Sequence, residues 1–154
     1  MTKYIIKEIY ADGYERFAVF EGTDIGKNLI VHFLEFDEYL ENGRESEKKK
    51  VGDIIEGDIS IDLVTVIKRT DKEIMHEQTI EKSPHIEAIV EICQIVDDYS
   101  VYAFSSVSNN EILIEFESAA DYKEGDRIFI AGSLEMNKIE KQQNVELEMV
   151  YLSD

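Results

Sequence analysis

The chain has 154 residues, of which 44% are hydrophobic and 32% are charged, an ordinary composition for a globular protein. Its 34 acidic residues against 16 basic ones give a net charge of -18, and a field of that sign repels nucleic acid and anionic membranes and attracts basic partners. A single cysteine, Cys93, excludes an internal disulfide, and no apolar run is long enough to span a membrane.

The first elements along the chain form a predicted hairpin and a central strand. Asp12-Gly13 separates two apolar-rich runs, residues 3–10 and 14–21, and this is a strong hairpin signal. Residues 28–36 are apolar on both faces and predict a strand covered on both sides. The polar stretch 37–50 predicts a solvated loop.

Residues 51–69 predict a long strand with a kink at Gly57, because a glycine inside a strand often marks a bulge or a sharp bend. Residues 70–82 predict either a short strand or an irregular connector. Ser83-Pro84 contains the only proline and is the predicted domain boundary. Alternate residues share one face of a strand, so the expected apolar face consists of Ile59, Ile61, Leu63, Thr65 and Ile67.

The second half alternates more clearly between apolar and polar positions. A turn at Gly125-Asp126 leads into a strand that is interrupted at Gly132. Residues 118–123 predict a short connector and residues 137–144 a polar loop. The other strands are predicted at residues 86–96, 99–106, 111–117 and 145–152.

Strands that recur every 10–15 residues, without a long amphipathic helix, predict an all-β sandwich or barrel. Residues 50–61 and 122–136 share a Gly-Asp entry and a later glycine, which indicates two small barrel-like halves, residues 1–82 and 85–154. The second half resembles the OB-fold, with five strands and a connector between the third and fourth. The first half resembles it more loosely. The resemblance implies a small barrel whose second and third strands offer a ligand-binding face.

No sequence motif indicates catalysis. The chain has no glycine-rich phosphate loop and no nucleophile elbow. His32, His76 and His85 do not have the spacing of a zinc site, and Cys93 supplies only one thiolate. His32 is expected at a core or edge position, and Cys93 as a small buried apolar residue. We therefore predict no catalytic residues, no metal and no cofactor, and a cytoplasmic protein.

Acidic residues dominate the second half, where residues 85–154 contain 15 acidic and four basic residues, a net of -11. One interpretation is that this charge only keeps a β-rich protein soluble. The other is that it binds a basic partner, with Tyr99 as an aromatic anchor. The predicted partner-binding residues are Asp97, Asp98, Tyr99, Glu115, Glu117, Asp121 and Glu124.

Aromatic residues in the second half allow two interpretations. Tyr99, Tyr102, Phe104 and Phe116 lie on the second and third OB-like strands, the face that stacks bases or ligands in OB-folds. Alternatively, Tyr102 and Phe104 fill the barrel and Tyr99 covers its rim. Single-strand binders combine stacking with a positive groove, whereas Glu111, Glu115 and Glu117 would line this one. Nucleic acid is therefore an unfavourable partner.

These features favour a non-enzymatic binding protein that occludes a basic partner. In charge and size it is similar to toxin-immunity proteins and phage-encoded nuclease inhibitors. The alternative is an OB-type module that binds single-stranded nucleic acid or belongs to a nucleoprotein complex. An enzyme is the third possibility, because a barrel can carry chemistry without a readable motif.

Overall fold

A computed structural model describes residues 2–23 and 26–142, and all the regular structure in these ranges is β-strand, which confirms the all-β prediction. No helix in the described ranges is long and apolar enough to cross a membrane. The predicted strand at 145–152 lies outside these ranges. The strands are β1 (Thr2–Asp12), β2 (Glu15–Gly22), β3 (Asn28–Leu34), β4 (Ile54–Arg69), β5 (Met75–Glu77), β6 (His85–Asp97), β7 (Ser100–Phe104), β8 (Ile112–Phe116) and β9 (Arg127–Lys141).

The strands form one sheet that closes on itself twice. In the first ring the order is β1-β2-β3-β9-β4, and β4 pairs back onto β1. In the second ring the order is β4-β8-β7-β6-β9, and β9 pairs with both β6 and β4. The short strand β5 pairs with residues 87–89 of β6, on the side of β6 that faces away from β9. The two rings therefore share β4 and β9, and the fold is barrel-like.

The two shared strands are the longest in the described chain, with 16 residues in β4 and 15 in β9. Their antiparallel pairing runs from Ile55 opposite Lys141 to Arg69 opposite Ile128. The first part of β4 and the last part of β9 belong to the first ring, and the remaining parts belong to the second. One ribbon of two strands thus forms a wall of both rings.

The halves of the chain repeat the same local geometry at the entries to β4 and β9. Gly52 donates its amide to Ile6 O at 2.8 Å, and Gly125 donates its amide to Ile92 O at 2.8 Å. Both glycines have a left-handed backbone, with φ of 93° and 88°. A bulge follows Ile6 in β1 and Ile92 in β6. The Gly-Asp repeat in the sequence therefore corresponds to one structural unit used twice.

Carboxylates close both of these turns in the same way. Asp53 accepts a hydrogen bond from the amide of Lys50 at 2.8 Å, and Asp126 accepts one from the amide of Lys123 at 2.9 Å. The equivalent positions differ by 73 in number, and Ile61 pairs with Leu134, which has that same offset. The shared strands therefore pair approximately symmetrically about the Ile61–Leu134 pair, with one entry turn on each side.

Gly57 in β4 lies opposite an irregularity of β9, and Gly132 in β9 lies opposite an irregularity of β4. A Cβ on Gly132 would lie 2.6 Å from the carbonyl oxygen of Asp62, and one on Gly57 would lie 2.7 Å from the side chain of Met136. The pairing shifts beside both glycines. Both glycines therefore lie at bulges in the pairing of β4 with β9, and at Gly132 the bulge brings the two backbones close together.

Two details of the predicted strands are wrong. Leu63 has a φ of 55° and is 60% exposed, because the bulge after Asp62 breaks the alternation and turns Val64 inward instead. Thr65 is also exposed. The predicted loop at 137–144 is strand as far as Lys141, because its polar residues pair with the beginning of β4.

Branched aliphatic side chains dominate the core. Ile6, Phe20 and Leu29 are fully buried in the first ring, and Ile92, Ile114 and Ile128 in the second. They belong to one continuous apolar cluster. The division into residues 1–82 and 85–154 stays a prediction, while the pairing of β4 with β9 joins residues on both sides of Ser83-Pro84.

Candidate functional site

The turn between β6 and β7 brings together the first three predicted partner-binding residues. Asp97 accepts hydrogen bonds from the amide of Tyr99 and the hydroxyl of Ser100, both at 2.8 Å. The Tyr99 amide bond, followed by the Ser100 bond, lowers the pKa of the Asp97 carboxyl. This side chain is therefore ionised and fixes the turn, while Asp98 beside it is exposed.

The end of β8 and the connector after it lie beside this turn. Ser100 pairs with Glu115, and the amide of Phe116 donates to Tyr99 O at 2.7 Å. The amide of Ala120 donates to Asp98 O at 2.8 Å. These bonds place the backbone of residues 115–121 beside the turn that carries Tyr99. We call the set Asp97, Asp98, Tyr99, Glu115, Glu117 and Asp121 the Tyr99 surface.

Glu124 lies apart from the Tyr99 surface. The amide of Gly125, the next residue, donates to Ile92 O. Ile92 precedes Asp97 by five positions along β6, a distance of roughly 15 Å at the usual rise of a strand. Six of the seven predicted residues therefore cluster at one end of the second ring, and Glu124 lies on its flank.

The basic side chain of Arg69 contacts the Tyr99 surface through the backbone of Asp121. Arg69 donates to Asp126 Oδ2 and to Asp121 O, each at 3.3 Å. Its guanidinium lies 5.0 Å from the centre of the Tyr122 ring. Arg127 forms an ion pair with Glu91 at 3.1 Å. The exposed carboxylates at positions 98, 115 and 117 have no ion pair within the described chain.

The aromatic residues of this half point in different directions. Tyr99 is 54% exposed and Phe116 is 5% exposed. Tyr102 and Phe104 are exposed on β7, because Val101 and Ala103 occupy its inward positions. The alternative in which Tyr102 and Phe104 fill the barrel is therefore wrong, and the four aromatic residues do not share one face.

A second exposed aromatic cluster was not predicted from the sequence. Tyr14, in the β1–β2 turn, lies 5.1 Å from Tyr39 and 6.3 Å from Phe36, measured between ring centres. The three rings are 45%, 66% and 73% exposed. The signal available in the sequence was the aromatic density of residues 36–39, which the interpretation as a solvated loop overlooked.

The histidines occupy separate places. His32 Nδ1 lies 2.8 Å from Glu135 Oε1, and this bond raises the pKa of His32 against the effect of burial. His76 contacts Ser106, and burial lowers its pKa. In the described ranges no three His, Cys, Asp or Glu side chains are placed to hold a metal ion.

Carboxylates also meet where the two rings join. Burial raises the pKa of Asp62, and the charges of Glu115 and Glu135 raise it further. Cys93, which is partly buried, has a raised pKa from burial and from Glu111. His32 and Asp62 thus share Glu135 as a neighbour, whereas Cys93 lies beside Glu111.

Comparison with known proteins found no matching family model, no matching curated protein and no matching solved structure.

Proposed function

We propose that the chain is a non-enzymatic binding protein that uses the Tyr99 surface to cover a basic site on a protein partner. The observation that carries this proposal is the clustering of five carboxylates around one exposed tyrosine. Backbone hydrogen bonds to Tyr99 O and Asp98 O, and the bond from the Tyr99 amide to the Asp97 carboxylate, support the turn and the segment beside it. A surface fixed before binding loses little conformational entropy when it binds.

The proposed mechanism is occlusion. The net charge of -18 steers a basic protein toward the chain and raises the association rate. Tyr99 then supplies an amphipathic ring of the kind that anchors protein interfaces. A toxin-immunity protein or an inhibitor of a basic nuclease would act in this way. Both classes remain an analogy with the charge and size of the chain.

The proposal is tested by neutralising the exposed carboxylates without changing the turn. The triple variant D98N/E115Q/E117Q leaves the structural Asp97 in place. The control, D71N/E73Q/E77Q, changes the net charge equally at exposed positions outside the Tyr99 surface. A partner recovered from the native host is then measured against both variants by stopped-flow association at several salt concentrations.

We expect the first variant to slow association about tenfold, and the control to slow it much less. We also expect the rate to fall steeply with added salt. If the partner is a nuclease, one equivalent of the protein should abolish its activity. Equal effects of the two variants, or an association rate that does not respond to salt, would reject the proposal.

A second candidate is an OB-type module that binds single-stranded nucleic acid. It is supported by the strand order of the first ring, which is 1-2-3-5-4 in chain order with the third and fifth strands parallel and resembles that of an OB barrel. The second ring has the same order when β6, β7 and β8 are taken as strands one to three, β9 as strand four and β4 as strand five. A cleft of about 330 Å³ beside Tyr102 is lined by Asn110, Asn137 and Lys138.

Asp58 and Glu111 line the same cleft, and their charges oppose a phosphate backbone. A gel shift with single-stranded oligonucleotides at low salt distinguishes the candidates. A shift that Tyr102→Ala removes would favour the nucleic-acid module, and no shift at micromolar protein would exclude it.

A further inference from the structure

We propose a second protein-binding surface, at the opposite end of the molecule, that takes an arginine-bearing segment of a partner. It consists of Tyr14, Phe36 and Tyr39 with the carboxylates of Asp12, Asp37 and Glu41, and we call it the Tyr14 surface. It shares no residue with the Tyr99 surface, so the failure of one proposal would not affect the other.

The internal repeat places the two surfaces in corresponding positions. The amide of Glu35 donates to Tyr14 O at 2.8 Å, as the amide of Phe116 donates to Tyr99 O. β1 pairs with the start of β4 and continues past it into the turn that carries Tyr14. In the same way, β6 pairs with the start of β9 and continues past it into the turn that carries Tyr99. Because β4 and β9 are antiparallel, the turns lie beyond opposite ends of the ribbon.

The aromatic rings of the Tyr14 surface are fixed in position. Gly13 and Leu40 exchange two backbone hydrogen bonds, of 2.7 and 3.0 Å. The ring of Tyr39 packs over Gly13, where an added Cβ would lie 3.4 Å from Tyr39 Cε2. This docking of the 35–53 loop presents three exposed rings together, and exposed aromatic patches mark interaction sites.

The buried side chain of Arg16 holds the same loop through hydrogen bonds. It is 1% exposed and donates to Gly13 O at 2.8 Å and to Glu38 O at 2.6 Å. Ser46 and the amide of Glu47 also donate to the Glu38 carboxylate, and their bonds lower its pKa against the effect of burial. The cation and its counter-ion therefore belong to the support of the surface and are not available to a ligand.

The charge around the rings identifies the occupant. Residues 10–15 and 34–41 contain six carboxylates and no lysine or arginine. Glu35 pairs with Lys49, and Glu15 lies 3.3 Å from His32 Nε2. Asp12, Asp37 and Glu41 are exposed and have no ion pair within the described chain. Arg44 is the nearest exposed cation along the loop.

Exposed aromatic faces beside unpaired carboxylates match a guanidinium, which stacks on rings and pairs with carboxylates at the same time. The chain itself contains this combination, since Arg69 lies over Tyr122 and pairs with Asp126. A second copy of the chain is a poor occupant, because a symmetric contact would bring these carboxylates against one another. Nucleic acid and anionic membranes are repelled for the same reason.

The test uses a glycine-spaced peptide that contains two arginines, with citrulline and lysine versions for comparison. Backbone amide shifts of the ¹⁵N-labelled protein locate the peptide and give its affinity. The variant is Phe36→Ser, since a side chain that is 73% exposed contributes little to the fold. The matched control is Ile80→Ser, at a residue that is 52% exposed and outside both surfaces.

We expect the arginine peptide to shift the amides of Tyr14, Phe36 and Tyr39. Phe36→Ser should weaken binding about three- to tenfold, and the citrulline peptide should bind at least tenfold more weakly. The lysine peptide should bind more weakly than the arginine peptide, because an ammonium does not stack. Ile80→Ser should bind normally.

Three results would overturn the proposal. The first is an equal effect of Phe36→Ser and Ile80→Ser on affinity. The second is a set of shifts confined to residues 97–121, which would assign the peptide to the Tyr99 surface alone. The third is self-association of the wild-type protein, measured by sedimentation, if Phe36→Ser abolishes it. That result would mean that the Tyr14 surface binds a second copy of the chain. Conversely, D98N/E115Q/E117Q should leave the shifts at the Tyr14 surface unchanged.

Discussion

The two ends of the molecule present an Asp-x-Tyr turn on the same scaffold but support it differently. At the Tyr14 end, the loop from residue 35 to residue 53 covers the turn and is held by a buried arginine. At the Tyr99 end, the connector is short, and Asp97 fixes the turn through its own carboxylate. The backbone unit is thus conserved between the halves, and the supporting side chains have diverged.

The largest difference expected between the ends is in their dependence on Arg16. Arg16→Met keeps much of the side-chain volume but removes the buried cation and its hydrogen bonds to Gly13 O, Glu38 O and the Glu38 carboxylate. We expect the free energy of unfolding to fall by about 3–5 kcal/mol, measured by urea denaturation. Arg44→Met, at an exposed position of the same loop, should change it by less than about 0.5 kcal/mol.

If Arg16→Met left stability unchanged, the buried arginine would not be what distinguishes the first end. Amide shifts add a second measurement. We expect them to spread through residues 35–50 and to spare residues 97–121.

A smaller difference between the two rings is expected in the pH dependence of stability, at the places where β3 and β8 meet the shared strands. On the first ring, His32 faces Glu135. In the corresponding place of the second ring, burial raises the pKa of Asp62 and the charge of Glu115 raises it further. The folded pKa of His32 is raised above 6.5. Its contribution to stability is therefore fully present below pH 6.5 and is lost as the pH rises through the folded value.

His32→Gln should lower the free energy of unfolding at pH 6 by about 1.5–3 kcal/mol, the range for hydrogen bonds to charged groups. At pH 9 the two proteins should differ much less. Urea denaturation across this range checks the slope, and a difference that stays constant with pH would show that the imidazolium is not the stabilising form.

The smallest effect, and the one that tests the repeat itself, concerns the two entry turns. Gly52→Ala and Gly125→Ala each place a Cβ on a left-handed residue with open space around it. Each should cost about 1–2 kcal/mol, and the two values should agree within about 0.5 kcal/mol. A large inequality in thermal or urea unfolding would show that the turns match in geometry but not in energy.

Much of the strand content was predictable because alternation of apolar and polar residues is a local property. The pairing was not, since it joins positions far apart in the chain. Asn137 and Glu140 fall in the predicted polar loop, and only their pairing with Asp58 and Glu56 makes them part of a strand. Leu63 could not be assigned to the outer face, because the bulge that turns it depends on the close approach of Gly132.

The candidate surfaces show the same limit. Asp97, Asp98 and Tyr99 are neighbours in sequence, so the turn could be identified directly. Tyr14 and Tyr39 come together only through the pairing of Gly13 with Leu40, which no periodicity indicates. Arg16 within a strand was the remaining clue, because a buried arginine requires partners from another segment.

The sharing of β4 and β9 also sets the order of events during synthesis. β1, β2 and β3 leave the ribosome early, but their ring closes through the contact of His32 with Glu135 and the pairing of Ile55 with Lys141. The first third of the chain must therefore wait, with unpaired strand edges, until residues 135–141 have been made. Such long-range closure slows folding and exposes edges to aggregation, and the strong negative charge of the chain opposes that association while the ring is still open.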